Sequence, residues 1–427
     1  MFKHLKIKEN RYIDTIHETA KWGAKGVWGP GETETGVCRL ALSDEDKKVR
    51  DWFVEEVKSL GCKVTIDAMG NIFAVYPGKN EGLPLAIGSH LDTQPTGGRY
   101  DGILGVLGGL EVIRTMKDND FVPNYPIAVI DWTNEEGARF PKSLMSSSVW
   151  AEVIDKEEVY NLKSITDKKP VTVLEELERI GYKGETEVSY KANPIKAHFE
   201  IHIEQGPILE ENEKKIGVVN GVQAYSWTNV RVKGLAVHTG STPFKSRSDA
   251  LLAASAMIVK GNEIAKKHSG LFSVGSIECL PNVANVVPEE VVFIADVRST
   301  ADESLYAIKK EYEAEFTKIA GDLGKNTTVV FEELITFENT RFDKKCIECV
   351  RSSASELFGE DKIMDIISGP GHDSCATATK VPTTMIFIPS KNGISHNPAE
   401  YSSPEQCHEG FQVLLNSVLK YDSLRTD

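Results

Sequence analysis

Three short runs constrain the fold of this chain more than anything else in it: LPLAIGSH (83–90), YPIAVIDW (125–132) and TTMIFIP (383–389). Each is apolar without alternation, as expected of a strand covered on both faces. Between them lie stretches of helical spacing. Val49, Phe53, Val57 and Leu60 recur every three or four residues in EDKKVRDWFVEEVKSL, a period that predicts an amphipathic helix. DGILGVLGGLEVIRTM reads as a second helix, with Asp101 at its N-cap and Ile103, Leu107 and Leu110 on one face. CKVTIDAMGNIFAVYPG reads as two strands around a turn. Strands alternating with helices predict an α/β fold, a mostly parallel sheet with flanking helices.

The interval 223–339 has a different rhythm. AYSWTNVRVKGLA, LFSVGSIECL and EEVVFIADVRS alternate like half-exposed strands, and NTTVVFEEL reads as a last strand. SDALLAASAMIVKGNEIAKKH and ESLYAIKKEYEAEFTKIAGDL are helices between them. The order β-α-β-β-α-β predicts a four-stranded antiparallel sheet with two helices on one face. The chain therefore reads as residues 1–222, the first part of a catalytic domain, an inserted α+β domain over 223–339, and the catalytic domain's second part over 340–427. A length of 427 residues suits about two domains.

Charge and cysteine usage narrow the function. The net charge is −14 with no long basic stretch, which argues against nucleic acid or an anionic membrane surface as partner. No apolar run reaches the roughly 20 residues of a membrane span, and MFKHLKIKENRYID has no apolar signal region. Seven scattered cysteines read as reduced thiols in a cytoplasmic protein. Cys346 and Cys349 read as neighbours on a buried helix face rather than as a zinc or redox motif.

Polar clusters follow the buried strands: His90 and Asp92, Glu135 and Glu136, and His396. In open α/β sheets ligands bind beyond the carboxyl ends of the strands, so these residues are expected to converge there. A hydrolytic pair of metal ions needs a bridging carboxylate, histidine and carboxylate ligands, and a separate base. Asp101 can bridge from its turn. Glu135 and Glu136 can divide metal binding and proton transfer. Asp92 can orient the His90 ring through the ring's other nitrogen. In AHFEIHIEQGP, strand alternation puts His198, Glu200, His202 and Glu204 on one face. Spacing does not say which histidine of that face binds metal.

The blocks GSHLDTQPTGGRYDGILGVLGGLEV, NEEGARF, HIEQGP, GLAVHTGSTP, PNVANVVPEE, ADVRS, SGPGHDS and GISHNPAE together resemble the M20 family of metal-dependent amidohydrolases and peptidases, in its hydantoinase/carbamoylase branch. The wording QPTGGRYDGILG is especially similar to the yeast-type β-alanine synthases. The resemblance implies two divalent ions per subunit, zinc in the first place, with manganese, cobalt or nickel as alternatives. It implies that His90 and His202 serve one ion, Glu136 and His396 the other, and that Asp101 bridges both. It makes Glu135 the general base, with Asp92 in support. Gln205, His238, Asn285 and Arg298 match substrate-contacting positions. Arg298 would grip a carboxylate, and His238 and Asn285 would hold the oxyanion. The inserted domain would be a lid and dimerisation module that offers His238 to the neighbouring subunit of a homodimer. His372 and His198 receive no role, and His4, His17, His268 and His408 read as plain surface or core residues.

What the resemblance implies is hydrolysis of the ureido C–N bond of a small carboxylate-bearing substrate. N-carbamoyl-β-alanine, of pyrimidine breakdown, comes first. N-carbamoyl-L-amino acids or allantoate are the alternative. A dipeptidase or aminoacylase is disfavoured because ordinary peptidases of the family carry a carboxylate where this chain has His202. An inactive scaffold is disfavoured because no ligand or base is missing.

Overall fold

The computed structural model describes residues 2, 5, 7–324 and 326–425. The chain forms two compact units, one taking it up to Gly221 and again from Arg341, the other being Val222–Thr340.

The first unit is built on a nine-stranded sheet. Its centre is four parallel strands in the order Ile127–Trp132, Leu85–His90, Ala197–Ile203, Thr383–Ile388. Antiparallel strands flank them: Ile72–Tyr76 and then Lys63–Ile66 on one side, Ile216–Val222 on the other. Every residue of the four central strands is buried; three of their sequences do not alternate, while Ala197–Ile203 alternates because His198, Glu200 and His202 share one buried polar face. Register places His90 opposite Trp132, and His202 opposite Phe387.

Helices Asp44–Ser59, Ile103–Asp118, Lys344–Phe358 and Pro404–Ser423 belong to the same unit. Ser43 caps the first by accepting the Asp46 N–H, and Ser403 with Gln406 forms a capping box on the last. Helix Ile103–Asp118 is buried on nearly every side rather than along one face, and it packs on three of the central strands. Its N-cap is Gly102, not Asp101. The Asp101 carboxylate makes no cap hydrogen bond and is left available to other partners. Cys346 and Cys349 lie buried on one helix, and all seven cysteines are free. Among the described residues no helix is long and apolar enough to cross a membrane.

The second unit is a four-stranded antiparallel sheet in the order Leu271–Leu280, Glu290–Ser299, Ala224–Lys233, Thr328–Phe337. Helices Ala250–Lys267 and Asp302–Asp322 pack on it through Met257, Ile264, Tyr312 and Phe316, against Phe272, Phe293 and Val230. A two-residue ribbon, Val237–His238 with Val286–Val287, stands apart from that sheet.

Candidate metal centre

The four central strands run parallel, so their carboxyl ends lie on one side. His90 is the last residue of its strand, His202 the last but one, and Glu135 and Glu136 follow the third by three and four residues. His396 comes eight residues after Ile388. These residues converge on Asp101. Its Oδ1 lies 3.1 Å from His202 Nε2 and 3.5 Å from His90 Nε2. Its Oδ2 lies 3.4 Å from His396 Nε2, which is itself 3.4 Å from Glu136 Oε2. One carboxylate thus presents one oxygen to each of two groups. His90, Asp101 and His202 form the first group, and Asp101, Glu136 and His396 form the second, each within the reach of a single ion.

Local chemistry fixes these donors. The His90 Nδ1–H donates to the Asp92 main-chain oxygen at 2.9 Å, and the His202 Nδ1–H donates to Ile203 O at 2.8 Å. A carbonyl only accepts, so both rings turn their Nε2 lone pairs toward the centre. Gly102 has φ +68°, and a Cβ there would stand 2.2 Å from the His90 ring. Only glycine lets the chain leave Asp101 this close to His90.

The expectation for Asp92 is corrected in detail. Its carboxylate oxygen is 3.8 Å from the His90 ring nitrogen, and its main-chain oxygen makes the hydrogen bond. Asp92 lies past the end of the strand, so strand alternation does not aim it at the ring. Its carboxylate instead accepts the N–H groups of Glu135 at 3.2 Å and Glu136 at 3.3 Å. That fixes a tight turn in which Asn134 and Gly137 both take positive φ.

The donor set fits divalent cations. Imidazole nitrogens and carboxylate oxygens face each other, with the far ring nitrogens of His90 and His202 already occupied. Burial pushes the Glu136 carboxyl up to about 7, with the Asp101 charge adding. Burial also raises Glu135 well above its ordinary value, against the pull of His90. Burial opposes charge on His396, but the Asp101 hydrogen bond and Glu136 outweigh it and lift the ring to about 9. His90 and His202 are raised likewise, against burial, by Glu135 and Asp101 respectively. Without ions the cluster holds its charge together with protons.

Glu135 Oε2 lies 3.5 Å from His90 Nε2, beside the first group. Gln205, with φ +57°, donates through Nε2 to Asp101 Oδ2 at 2.8 Å. Three of the sequence-derived residues belong to the second unit. His238 accepts the N–H groups of Gly240 and Ser241 at Nδ1, which puts its proton on Nε2. The main-chain oxygen of Asn285 accepts the Thr239 N–H, so Asn285 and His238 share one ribbon. Arg298 stacks on Tyr225 and is gripped by Asp296, with Nε–Oδ1 at 3.0 Å and Nη2–Oδ2 at 2.9 Å.

Sequence reasoning assigned no role to several neighbours of the site, of which Gln94 is half-buried and Glu200 and His372 are buried. Gln94 donates its N–H and its amide to Glu136, at 3.1 and 2.8 Å. Glu200 accepts from Ser89 at 2.8 Å and Ser374 at 2.6 Å. The His372 ring lies 4.5 Å from the His202 ring, tilted by 59°, and forms a third ligand-capable group with Glu200 and His202. Its Nε2–H donates to Ser368, whose hydroxyl donates onward to Pro370 O, so its Nδ1 keeps a lone pair. The signal for His372 was its place in a glycine-rich turn just beyond a strand. His198 is neutral, its pKa lowered to about 3 by burial. His17, His268 and His408 have other partners (Arg99, Glu311 and Gln412), and His4 lies outside the described residues.

A covered parallel sheet whose strand ends share one carboxylate between two imidazole groups is the architecture of a metal-dependent hydrolase. Residues 86–420 match the model of peptidase family M20/M25/M40, and the chain belongs to that family. A relative from Rhizobium meliloti, named N-carbamoyl-L-amino-acid amidohydrolase, is 40% identical over 418 residues, 97% of each chain. A ureidoglycolate hydrolase of Oryza sativa subsp. japonica is 34% identical, over 90% of this chain and 80% of its own. The crystal structure of a hydantoinase/carbamoylase family amidase from Burkholderia vietnamiensis is 40% identical with a TM-score of 0.88, covering 97% of this chain and 98% of that one.

Proposed function

We propose that this chain uses two divalent ions to hydrolyse the carbamoyl C–N bond of an N-carbamoyl amino acid. The products are the amino acid, ammonia and carbon dioxide. The observation that carries the reading is Asp101, whose two oxygens face His90 with His202 on one side and His396 with Glu136 on the other. Paired ions at such a site lower the pKa of water and polarise a carbonyl. Glu135, beside His90 and raised by burial, takes the proton of the attacking water. Water adds to the carbamoyl carbon, one C–N bond breaks as Glu135 returns the proton to the leaving nitrogen, and the carbamic acid that remains loses carbon dioxide to free the second nitrogen. The His238 Nε2–H and the Asn285 amide are donors for the oxyanion. Arg298 takes the substrate carboxylate, exchanging its Asp296 partner for the ligand.

Among substrates we put the N-carbamoyl-L-amino acids first, a ranking supported by the name of the relative from Rhizobium meliloti. N-carbamoyl-β-alanine is the second reading, on the wording QPTGGRYDGILG. The proposal includes a homodimer through the second unit. Its edge strand Leu271–Leu280 exposes Leu271, Ile277 and Leu280, and helix Ala250–Lys267 exposes Leu251, Leu252 and Val259. Seven free thiols support a cytoplasmic location.

Ammonia release by protein reconstituted with zinc, manganese, cobalt or nickel, with release of free amino acids read beside it for the dipeptides, tests the reading. The substrates are N-carbamoyl-L-amino acids, N-carbamoyl-β-alanine, allantoate and dipeptides. Release from any ureido compound supports the reaction class, and their ranking sets the substrate. Cleavage of dipeptides alone overturns it.

A further inference from the structure

Two of the three loops that carry the second ligand group are tied together by a carboxylate that the hydrolytic reading does not use. Glu400 is 2% exposed. Its Oε1 accepts the N–H of Tyr100 at 3.1 Å and of Asp101 at 3.0 Å. Its Oε2 accepts the Ser395 hydroxyl at 2.8 Å. Ser395 Oγ in turn lies 3.3 Å from Asp101 Oδ2 and accepts the Gln205 amide at 3.0 Å. A Cβ at Gly98 would stand 2.2 Å from Glu400 Oε1, so the turn before Asp101 closes directly around this carboxylate.

The two ligand groups differ in what holds them. His90 and His202 stand on buried strands paired within the sheet, with their rings anchored on main-chain oxygens. His396 lies in a loop, has φ +53°, and its side chain is 49% exposed. The same loop supplies Glu400, which fastens it to the Asp101 turn 299 residues away.

We propose that Glu400 is a positioning residue for the second ion. It sets Asp101 Oδ2 against His396 by templating main-chain N–H groups, and the first group, which shares Asp101 but has both its histidines on strands, depends on it less. This rests on the two-ion reading above, and the experiment separates the two.

The full chain is stripped with chelator and titrated with Zn²⁺ or Mn²⁺. Bound ions are counted by elemental analysis, and affinities are read by competition with a chromophoric chelator. Wild type should bind two ions. Glu400→Ala should keep one and bind the other about 10–100-fold more weakly, the usual cost of losing an outer partner of a ligand. Glu400→Gln should keep both, because its amide oxygen can accept the two N–H groups while its amide nitrogen donates to Ser395. Should Glu400→Ala fail to fold, Ser395→Ala cuts the second link, together with the Ser395 contacts to Asp101 and Gln205, while keeping the two main-chain N–H bonds, and should weaken the same ion by a smaller factor. Two ions at wild-type affinity in Glu400→Ala, equal weakening of both ions in either alanine variant, or a glutamine variant that behaves like the alanine one would overturn the proposal. Fewer than two ions on the wild type would instead remove the two-ion reading beneath it.

Discussion

His202 Nε2 and Asp101 Oδ1 stand 3.1 Å apart, while the other nitrogen of that ring already donates to the main chain of Ile203. The contact needs either a proton on Nε2 or a cation beside it. His396, at about 9, and the raised His90 and His202 make the same demand. Metal binding to the stripped protein at neutral pH should therefore release protons, on the order of two per chain. Calorimetry in buffers of different ionisation enthalpy reads this directly. A binding enthalpy that does not vary with buffer would contradict it.

Glu135 touches the first ligand group without belonging to it. Glu135→Gln should keep wild-type metal content and lose turnover by about 10²–10⁴-fold. Elemental analysis beside the rate assay is needed to read the result. Substantial turnover at full metal occupancy would sink the base assignment.

Asp92 acts on the Glu135-Glu136 turn through two main-chain N–H groups rather than on the His90 ring. Asp92→Ala leaves both without a carboxylate and should lower kcat by about 10–100-fold, with a lower Tm. Asp92→Asn retains an acceptor oxygen and should fall between. An alanine variant with unchanged kcat would show that the turn holds itself.

His238 presents Nε2–H because its Nδ1 is occupied by two N–H groups. His238→Ala should cost about 10²–10³ in kcat with metal content unchanged. Mixing it with Glu135→Gln protein and allowing subunits to exchange should restore activity if the ring serves a neighbouring subunit. No loss in the single variant would remove His238 from the reaction.

Burial holds His198 at about 3, below its ordinary 6.5, and its ring accepts from the Trp132 indole at Nε2. Below pH 6.5 the unfolded chain takes a proton that the folded chain refuses. Stability is therefore lost as pH falls from 6.5 toward 3, by at most about 1.4 kcal/mol per pH unit from this residue. Above pH 6.5 it contributes no slope. His198→Gln should flatten the fall of Tm between pH 6 and 4. Parallel Tm curves for the two proteins would exclude the effect.

The sheet was legible because the signal is local: a strand covered on both faces must be apolar throughout, and LPLAIGSH says so within eight residues. His90, Asp101, Glu136, His202 and His396 were legible as types of residue at strand ends, and their separation between two ligand groups came from the resemblance. What spacing could not supply was which atom meets which. The Asp92 side chain is nearer to the following glutamates than to the ring it was expected to hold, because the chain turns after His90. Asp101 gives up the cap position to Gly102 for want of room beside His90. Gln94 and Glu400 are ordinary polar residues in sequence. They acquire meaning only through partners 42 and about 300 positions away.

The span between Asp101 and Glu400 has a consequence for biosynthesis. The ribosome delivers the Asp101 turn and both strand-borne histidines long before it delivers the loop that holds His396 and Glu400. The second ligand group can therefore form only after the loop that carries His396 has been made.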